Sequence, residues 1–436
     1  MPKPSTVLRA SSAWLEPGAA LRGFADTRAQ SLDLAAPLSA EDMTVQSMPD
    51  VSPTKWHLAH TTWFFETFLL RDREADFDPH DQRYHFLFNS YYEAEGPRQP
   101  RPNRGLITRP SVAEVMAYRN DVDARVAALC ERADDTDWPQ IAAILELGCQ
   151  HEQQHQELLL TDIKHVLYQN PFHPAYARTY LKEYHAAPDL AFHRYDGGRV
   201  MIGHAGDGFA YDNETPRHEV LLQPFALANR PITNREFHAF IEDGGYRTPA
   251  LWLSDGWDQV QSHGWSHPLY WEFDEDEGWR AYTLRGLQPI NWEEPVCHLS
   301  FFEAEAYAAW AGARLPLEAE LEHALACQPD PGPVNDLGSG RLHAAIAPQP
   351  TAERPVVQLA GDVWEWTRSA YAPYPRFRPM GGAIGEYNGK FMCNQFVLRG
   401  GSFATPAGHW HPTYRNFFPP EARWQFSGVR LAKDAE

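Results

Sequence analysis

The sequence is poor in cysteine, and that sets its first limit. Five cysteines (Cys130, Cys149, Cys297, Cys327 and Cys393) are scattered and odd in number, and no C-x-x-C occurs. A disulfide framework is not expected, and a reduced, cytoplasmic protein is the simplest reading. Long uncharged apolar runs are missing as well. The N-terminus does not read as a signal peptide, and no stretch is predicted to span a membrane. Positive charge is outnumbered, with 38 Lys and Arg against 58 Asp and Glu, a formal net charge of −20. Bulk electrostatics therefore argue against a nucleic-acid or membrane partner, while a local basic pocket for an acidic small molecule stays compatible with the negative field. Internal repeats and low-complexity segments are absent too.

What is present is enough chain for two domains, since 436 residues exceed one ordinary core. Residues 1–20 read as frayed, and a first helix is expected from about Leu21 to Leu34. A second opens with Ser52 as N-cap and Pro53 in the first helical position. A third runs from the Ser111–Glu114 capping box to about Arg132, and a fourth from near Trp138-Pro139 to just before Asn170-Pro171. Between the second and third lies a long connection, residues 71–110, of a length that is usually functional. Four helices with one long crossover predict a four-helix bundle over residues 15–185. Residues 171–195 read as a linker. Beyond it glycine, proline and tryptophan rise, and one helix, around Phe301 to Ala313, is clear. A loop-rich α+β domain over residues 192–436 is predicted. The 15 tryptophans and 36 prolines of the chain fit such a half with aromatic-lined cavities.

The chemistry centres on Cys149-Gln150-His151-Glu152-Gln153-Gln154-His155. His151 and His155 are four apart and share a helix face with Ile141, Leu145, Gly148, Leu158, Leu159 and Asp162. In the second helix Trp56, His60, Trp63 and Thr67 share another face, which puts His60 on the buried side and turns His57 partly away. A metal held by His60, His151 and His155 between the two helices is the expectation. Its competitors are core histidines satisfied by hydrogen bonds and a zinc hydrolase, because His151–His155 satisfies H-E-x-x-H. The longer metzincin pattern fails, with Leu158 where Gly is needed and Thr161 where the third His is needed. Three imidazoles suit Zn, Cu, Fe or Ni, and Cys149 lies off the histidine face. In the long connection, Arg98, Arg101 and Arg104 recur every three residues among prolines, after the Tyr91-Tyr92 pair. Such a strip suits a carboxylate clamp, since Arg presents a planar fork of donors.

Leu58-Ala59-His60, the H-E-x-x-H segment and Phe88-Asn89-Ser90-Tyr91-Tyr92-Glu93 with its arginine strip resemble the ergothioneine-biosynthesis sulfoxide synthases, a family that includes related selenoneine synthases. Pro231-Ile232-Thr233-Asn234, Trp310-Ala311-Gly312-Ala313-Arg314-Leu315-Pro316, Gly361-Asp362-Val363-Trp364-Glu365-Trp366, Arg399-Gly400-Gly401-Ser402-Phe403 and Phe426-Ser427-Gly428-Val429-Arg430-Leu431 look like that family's second domain, in order. The resemblance covers nearly the whole chain after residue 20. It implies a DinB-like four-helix bundle followed by a formylglycine-generating-enzyme-like domain of C-type-lectin type.

The resemblance also implies an enzyme that joins sulfur to the imidazole C2 of hercynine (Nα-trimethylhistidine) with iron(II), O2 and a thiol. In that reading His60, His151 and His155 are iron ligands and Gln154 lies beside the substrate imidazole. Asn416 holds the betaine carboxylate, and Arg101 and Arg104 bind the carboxylate of the thiol, with cysteine first in line. Tyr91 or Tyr92 is the proton donor. Phe403, Trp410-His411 and Pro316-Leu317-Glu318 depart from the family's usual residues. These departures leave a selenium donor, a selenosugar, as the alternative second substrate. A metal-storing bundle and a zinc hydrolase are more remote alternatives.

Overall fold

Caps and prolines set where the helices of the N-terminal half begin. The computed structural model describes residues 8–178 and 185–435. It places α1 at Pro17–Ala35, α2 at Thr54–Phe65, a short α3 at Tyr84–Phe88, α4 at Val112–Arg132 and α5 at Trp138–Tyr168. Helix α1 starts earlier than expected, because the Glu16 side chain accepts from the Gly18 and Ala19 amides and Pro17 suits the first helical position. The segment before it is docked rather than frayed where it is described: Ser11 donates through both its amide and its hydroxyl to the Glu146 carboxylate on α5. Helix α2 begins at Thr54, one residue later than expected, and Ser52 does not cap it. The Ser52 hydroxyl accepts instead from Arg104. The Ser111–Glu114 capping box of α4 forms as expected.

All 12 residues of α2 are buried, and a π turn, Glu66–Leu70, continues it. A helix buried on every side is the centre of a bundle, not a surface element. It packs on α4 and α5, and α1 packs on α5. Gly148 allows the α2–α5 approach: a Cβ there would lie 2.3 Å from the Phe65 ring. That close approach comes one turn before His151.

Two compact units result. The first comprises Met1–Phe172 with two segments from the second half of the sequence, Ala205–Asn213 and Phe377–Lys390. A single cut between 185 and 192 does not include those two segments. The expected linker at 171–195 contains residues 179–184, which lie outside the described residues. Its end carries strand β1, Phe192–Tyr195.

The second unit comprises His173–His204, Glu214–Arg376 and Phe391–Glu436. After β1 come β2 (Gly198–Ile202), β3 (His218–Leu222), β4 (Phe225–Ala228), α6 (Asn234–Glu242), α7 (Ser254–His263), β5 (Trp271–Asp274), β6 (Gly278–Thr283) and β7 (Gly286–Pro289). Then follow α8 (Phe301–Trp310), α9 (Glu318–Cys327), β8 (Trp364–Ala370), β9 (Phe396–Arg399), β10 (Asn416–Phe418), β11 (Ser427–Gly428) and β12 (Ala432–Asp434). The sheets run β1-β4-β12, β10-β9-β8-β11, β2-β3 and β5-β6-β7. The last strand pairs antiparallel with β4, Ala432 opposite Leu227, so the two ends of this unit close one sheet. Tyr195, Leu227, Leu321 and Val356 belong to its core.

Among the described residues of this half stand four α-helices where one was clear from sequence. Length does not separate them, since α6 and α9 are nine and ten residues long and α8 is also ten. For α6 the cap was the better signal, since Thr233 and Glu236 form a full capping box.

Candidate metal centre

Helix α2 brings His60, and α5 brings His151 and His155, to one buried point. One ligand atom from each lies within 4.8 Å of the others. The rings stand 4.7 to 5.0 Å apart between centroids. His60 is wholly buried, and His151 and His155 nearly so.

Buried imidazoles normally satisfy their nitrogens within the protein. Here His60 Nδ1 bonds the Phe88 carbonyl oxygen at 2.6 Å, while its Nε2 has no partner. Neither nitrogen of His151 has one. Burial lowers the pKa of all three, His151 to about 4, and the neighbouring imidazoles push His60 and His155 further down. At neutral pH the three rings are therefore uncharged, with lone pairs converging. Converging neutral imidazoles, with bare nitrogens on His60 and His151, fit a transition-metal ion, so the triad can hold one. This is not the pattern of core histidines satisfied by hydrogen bonds.

The intervening Glu152 is turned to the other side of α5. Its carboxylate accepts from Arg28 at 2.7 Å, Arg119 at 2.8 Å and Ser31 at 2.6 Å. Burial alone would raise its pKa, but Arg119 and Arg28 outweigh that and hold it at about 2. A hydrolase base must reach the metal-bound face, and this carboxylate is locked between α1 and α4. Cys149 is no ligand either: it hydrogen-bonds with Thr27 of α1, and burial pushes its thiol pKa up.

Aromatic side chains hold the triad from one side. His60 is stacked between Trp56 (4.6 Å, 12° between planes) and Trp63 (5.7 Å, 15°). The Arg104 guanidinium lies 3.4 Å from the centre of the Trp56 ring. Arg104 is buried and donates to the Ser52 and Ser90 hydroxyls at 2.9 and 3.0 Å. It meets no carboxylate among the described residues; burial and nearby Arg101 depress its pKa. Arg101 is exposed and donates to the Asp50 carbonyl, and Arg98 pairs with Glu93. The arginine strip is thus not one continuous clamp: only Arg104 turns inward.

Tyr91 and Tyr92 stand beside the triad with a third tyrosine that no local sequence pattern announces. Tyr387, in the Phe377–Lys390 segment, donates its hydroxyl hydrogen to Gln154 Oε1 at 2.6 Å, and its ring is 6.0 Å from that of His151. Tyr91 hydrogen-bonds with both Tyr92 and Tyr387. Burial raises all three phenols, so they remain protonated. The segment is pinned by Glu386, whose carboxylate accepts from the Glu93 and Ala94 amides at 2.8 and 3.0 Å. A cavity of about 20 Å³ lies here, lined by His151, Gln154, Tyr92 and Tyr387 together with Tyr211, Asp212 and Asn388.

His57 also differs from expectation. It is buried, with Nδ1 2.8 Å from His155 Nδ1 and Nε2 3.0 Å from Asp162 Oδ2. In a helix without an exposed face there is no outer side for it to turn to.

Asn416 belongs to the second unit, at the start of β10, where its side-chain oxygen accepts from the Phe417 amide at 2.9 Å. In the same unit Phe403 packs on Phe426 and the His411 ring pairs with Glu214 at 2.7 Å, an interaction that raises its pKa despite burial. No described helix is long and apolar enough to cross a membrane.

Residues 191–332 and 339–435 match the sulfatase-modifying factor enzyme 1-like domain family, and residues 24–159 match the DinB superfamily. The chain is 35% identical to the hercynine oxygenase of Mycolicibacterium smegmatis, over 89% of this chain and 92% of that one. With the hercynine oxygenase of Mycobacterium tuberculosis it shares 33% identity over 94% and 97%. The formylglycine-generating enzyme of Streptomyces coelicolor is 30% identical over 56% of this chain and 89% of its own. Similarity that runs end to end through both domains, with three converging histidines in the first, makes this chain a member of the hercynine oxygenase family of ergothioneine biosynthesis.

Proposed function

We propose that the protein is an iron(II)- and O2-dependent hercynine–cysteine sulfoxide synthase. The observation that carries the reading is the triad itself: His60, His151 and His155 converge, with unpartnered nitrogens on His60 and His151, beside Gln154 and a cluster of protonated tyrosines. Iron(II) bound there would supply the one-electron chemistry that O2 requires and a Lewis-acidic site for a sulfur ligand. In the net reaction the C2–H and S–H bonds break and the C–S bond forms. One oxygen atom goes to sulfur, and the other leaves as water with both hydrogens.

The chain's own residues have separate tasks in this proposal. Gln154, its amide oxygen held by the Tyr387 hydroxyl, presents its NH2 group to the substrate imidazole. Tyr91, Tyr92 and Tyr387 keep a proton available within one hydrogen-bonded cluster. Arg104, buried and without a carboxylate of its own, receives the carboxylate of the sulfur donor, with Arg101 at its approach. Asn416 takes the betaine carboxylate. Confining the reactants replaces an improbable encounter of several molecules by one assembled complex.

The test is a competition assay on the iron-loaded chain with hercynine, O2, cysteine, γ-glutamylcysteine and a selenosugar, read by mass spectrometry. A sulfoxide with cysteine at the highest kcat/KM is expected. A selenium conjugate formed far faster overturns the choice of donor. Absence of any hercynine conjugate overturns the reading.

A further inference from the structure

Three ligand histidines are held in three different ways. His60 gives its Nδ1 to a backbone carbonyl, His151 is held by no hydrogen bond, and His155 gives its Nδ1 to another histidine. The last arrangement is unusual, and its protons can be counted. Asp162 Oδ2 lies 2.7 Å from the Ser52 backbone N–H, which can only donate, and the Thr161 hydroxyl, 3.3 Å from Oδ1, has a closer acceptor in the Leu158 carbonyl at 2.9 Å. The carboxylate is therefore an acceptor, and the His57 Nε2 that stands 3.0 Å from it must carry a hydrogen. In the neutral form of the ring, which has one N–H, His57 Nδ1 is then a bare acceptor. Its 2.8 Å contact with His155 Nδ1 then requires the hydrogen to come from His155. That leaves His155 Nε2 with its lone pair.

We infer that Asp162 and His57 form a positioning relay that fixes the tautomer and ring orientation of His155, so that this histidine offers Nε2 to a metal. The relay is sealed from solvent, with His57 and Asp162 each 3% exposed. Water therefore does not substitute for a lost partner. It spans two elements, His57 on α2 and Asp162 on α5, and so locks the two helices that carry the ligands into one register. A ligating histidine usually passes its second N–H directly to a carboxylate or carbonyl. Here one imidazole is interposed, and the same carboxylate also anchors the Ser52 amide just ahead of α2.

The inference rests on the metal reading of the triad and not on the identity of the substrates. It is tested on the full chain by chelator competition with Co(II), whose visible spectrum reports ligand geometry. Asp162→Leu is the critical variant: it removes the acceptor of the His57 Nε2 hydrogen, so that neither ring's tautomer is fixed. Asp162→Leu and His57→Phe should each weaken Co(II) binding roughly 10–100-fold and alter its spectrum, with the helical circular dichroism unchanged. His57→Gln, which keeps one donor and one acceptor, should recover part of the loss. Nitrogen-15 NMR of the unaltered Zn(II)-loaded chain reads the tautomers without any mutation, and His155 protonated at Nδ1 with His57 protonated at Nε2 is expected. Wild-type affinity and spectrum in both variants, or the opposite tautomers, overturn the relay while leaving the triad. An unaltered chain that binds no metal overturns both.

Discussion

The buried arginines of the second unit and the α2–α5 face of the first differ in how their buried polar groups are matched. In the second, Arg399, Arg415, Arg423 and Arg430 are buried, and each meets a glutamate: Glu322, Glu318, Glu303 and Glu365. Arg430 is fully buried and also donates to the Ala228, Val357 and Gln358 carbonyls. In the first unit, the far side of α5 follows the same rule, with Glu152 shared between Arg28 and Arg119. The α2–α5 face does not. His60 and His151 keep bare nitrogens, and Arg104 meets no carboxylate among the described residues. Matched buried charges hold a fold in one arrangement, whereas unmatched ones cost stability and persist where a ligand completes them.

Removing a ligand should give the largest effect. His155→Ala or His60→Ala, loaded anaerobically with iron(II), is expected to retain no stoichiometric metal and to show no turnover above background. Elemental analysis and product formation check this together. Full iron occupancy in either variant would mean the unmatched nitrogens serve no metal. Glu365→Gln breaks a matched pair instead and leaves Arg430 buried without a counter-charge. Unfolding in urea should show a loss of about 3–5 kcal/mol.

Arg104→Met sharpens the contrast, because it deletes a charge that no carboxylate balances. Its stability to urea should hold or rise, while KM for the sulfur donor rises at least about tenfold, or ~1.4 kcal/mol of binding. A variant that loses stability without a change in KM would make Arg104 structural. Among the tyrosines, Phe replacement at the true proton donor should lower kcat by roughly 10²–10⁴ with metal binding intact. The other two positions should lose less. Three mild losses would remove tyrosine from the chemistry.

The parts of this site that were legible in the sequence are those with a local period. His151 and His155 repeat at one helical turn, and His60 falls with Trp56 and Trp63 on one face, so two helices sufficed to predict the meeting point. Tyr387 has no such signature. It reaches Gln154 across 233 positions, through a segment that joins the helical unit from the far half of the chain. His57 was misjudged for a different reason. Amphipathic reasoning presumes a solvent face, and α2 has none. The role of Glu152 was ambiguous as a motif and became clear only when α1 and α4 supplied its arginines.

The smallest effect, and the one that reads both kinds of buried group in a single titration, is the acid response of the metal-free chain. His151 has a folded-state pKa near 4 against an ordinary 6.5, because burial penalises the charged ring. The unfolded chain therefore binds more protons across that interval, and stability falls as pH drops from about 6.5 toward 4. Glu152 titrates in the folded state near 2 against an ordinary 4.5, held down by Arg119 and Arg28 against the effect of burial. Its contribution is present above 4.5 and is lost as pH falls from there toward 2. Urea midpoints measured across this range should thus decline in two stages, the histidine stage first. Glu152→Gln should lower stability at neutral pH and flatten the second stage alone. Zn(II) should raise the midpoints through the whole first stage, where the folded ligands stay unprotonated, and its benefit should fade below about pH 4 as a proton takes the His151 nitrogen. A decline that begins only below pH 4.5 in the metal-free chain would show that the three histidines are not buried as neutral, unmatched bases.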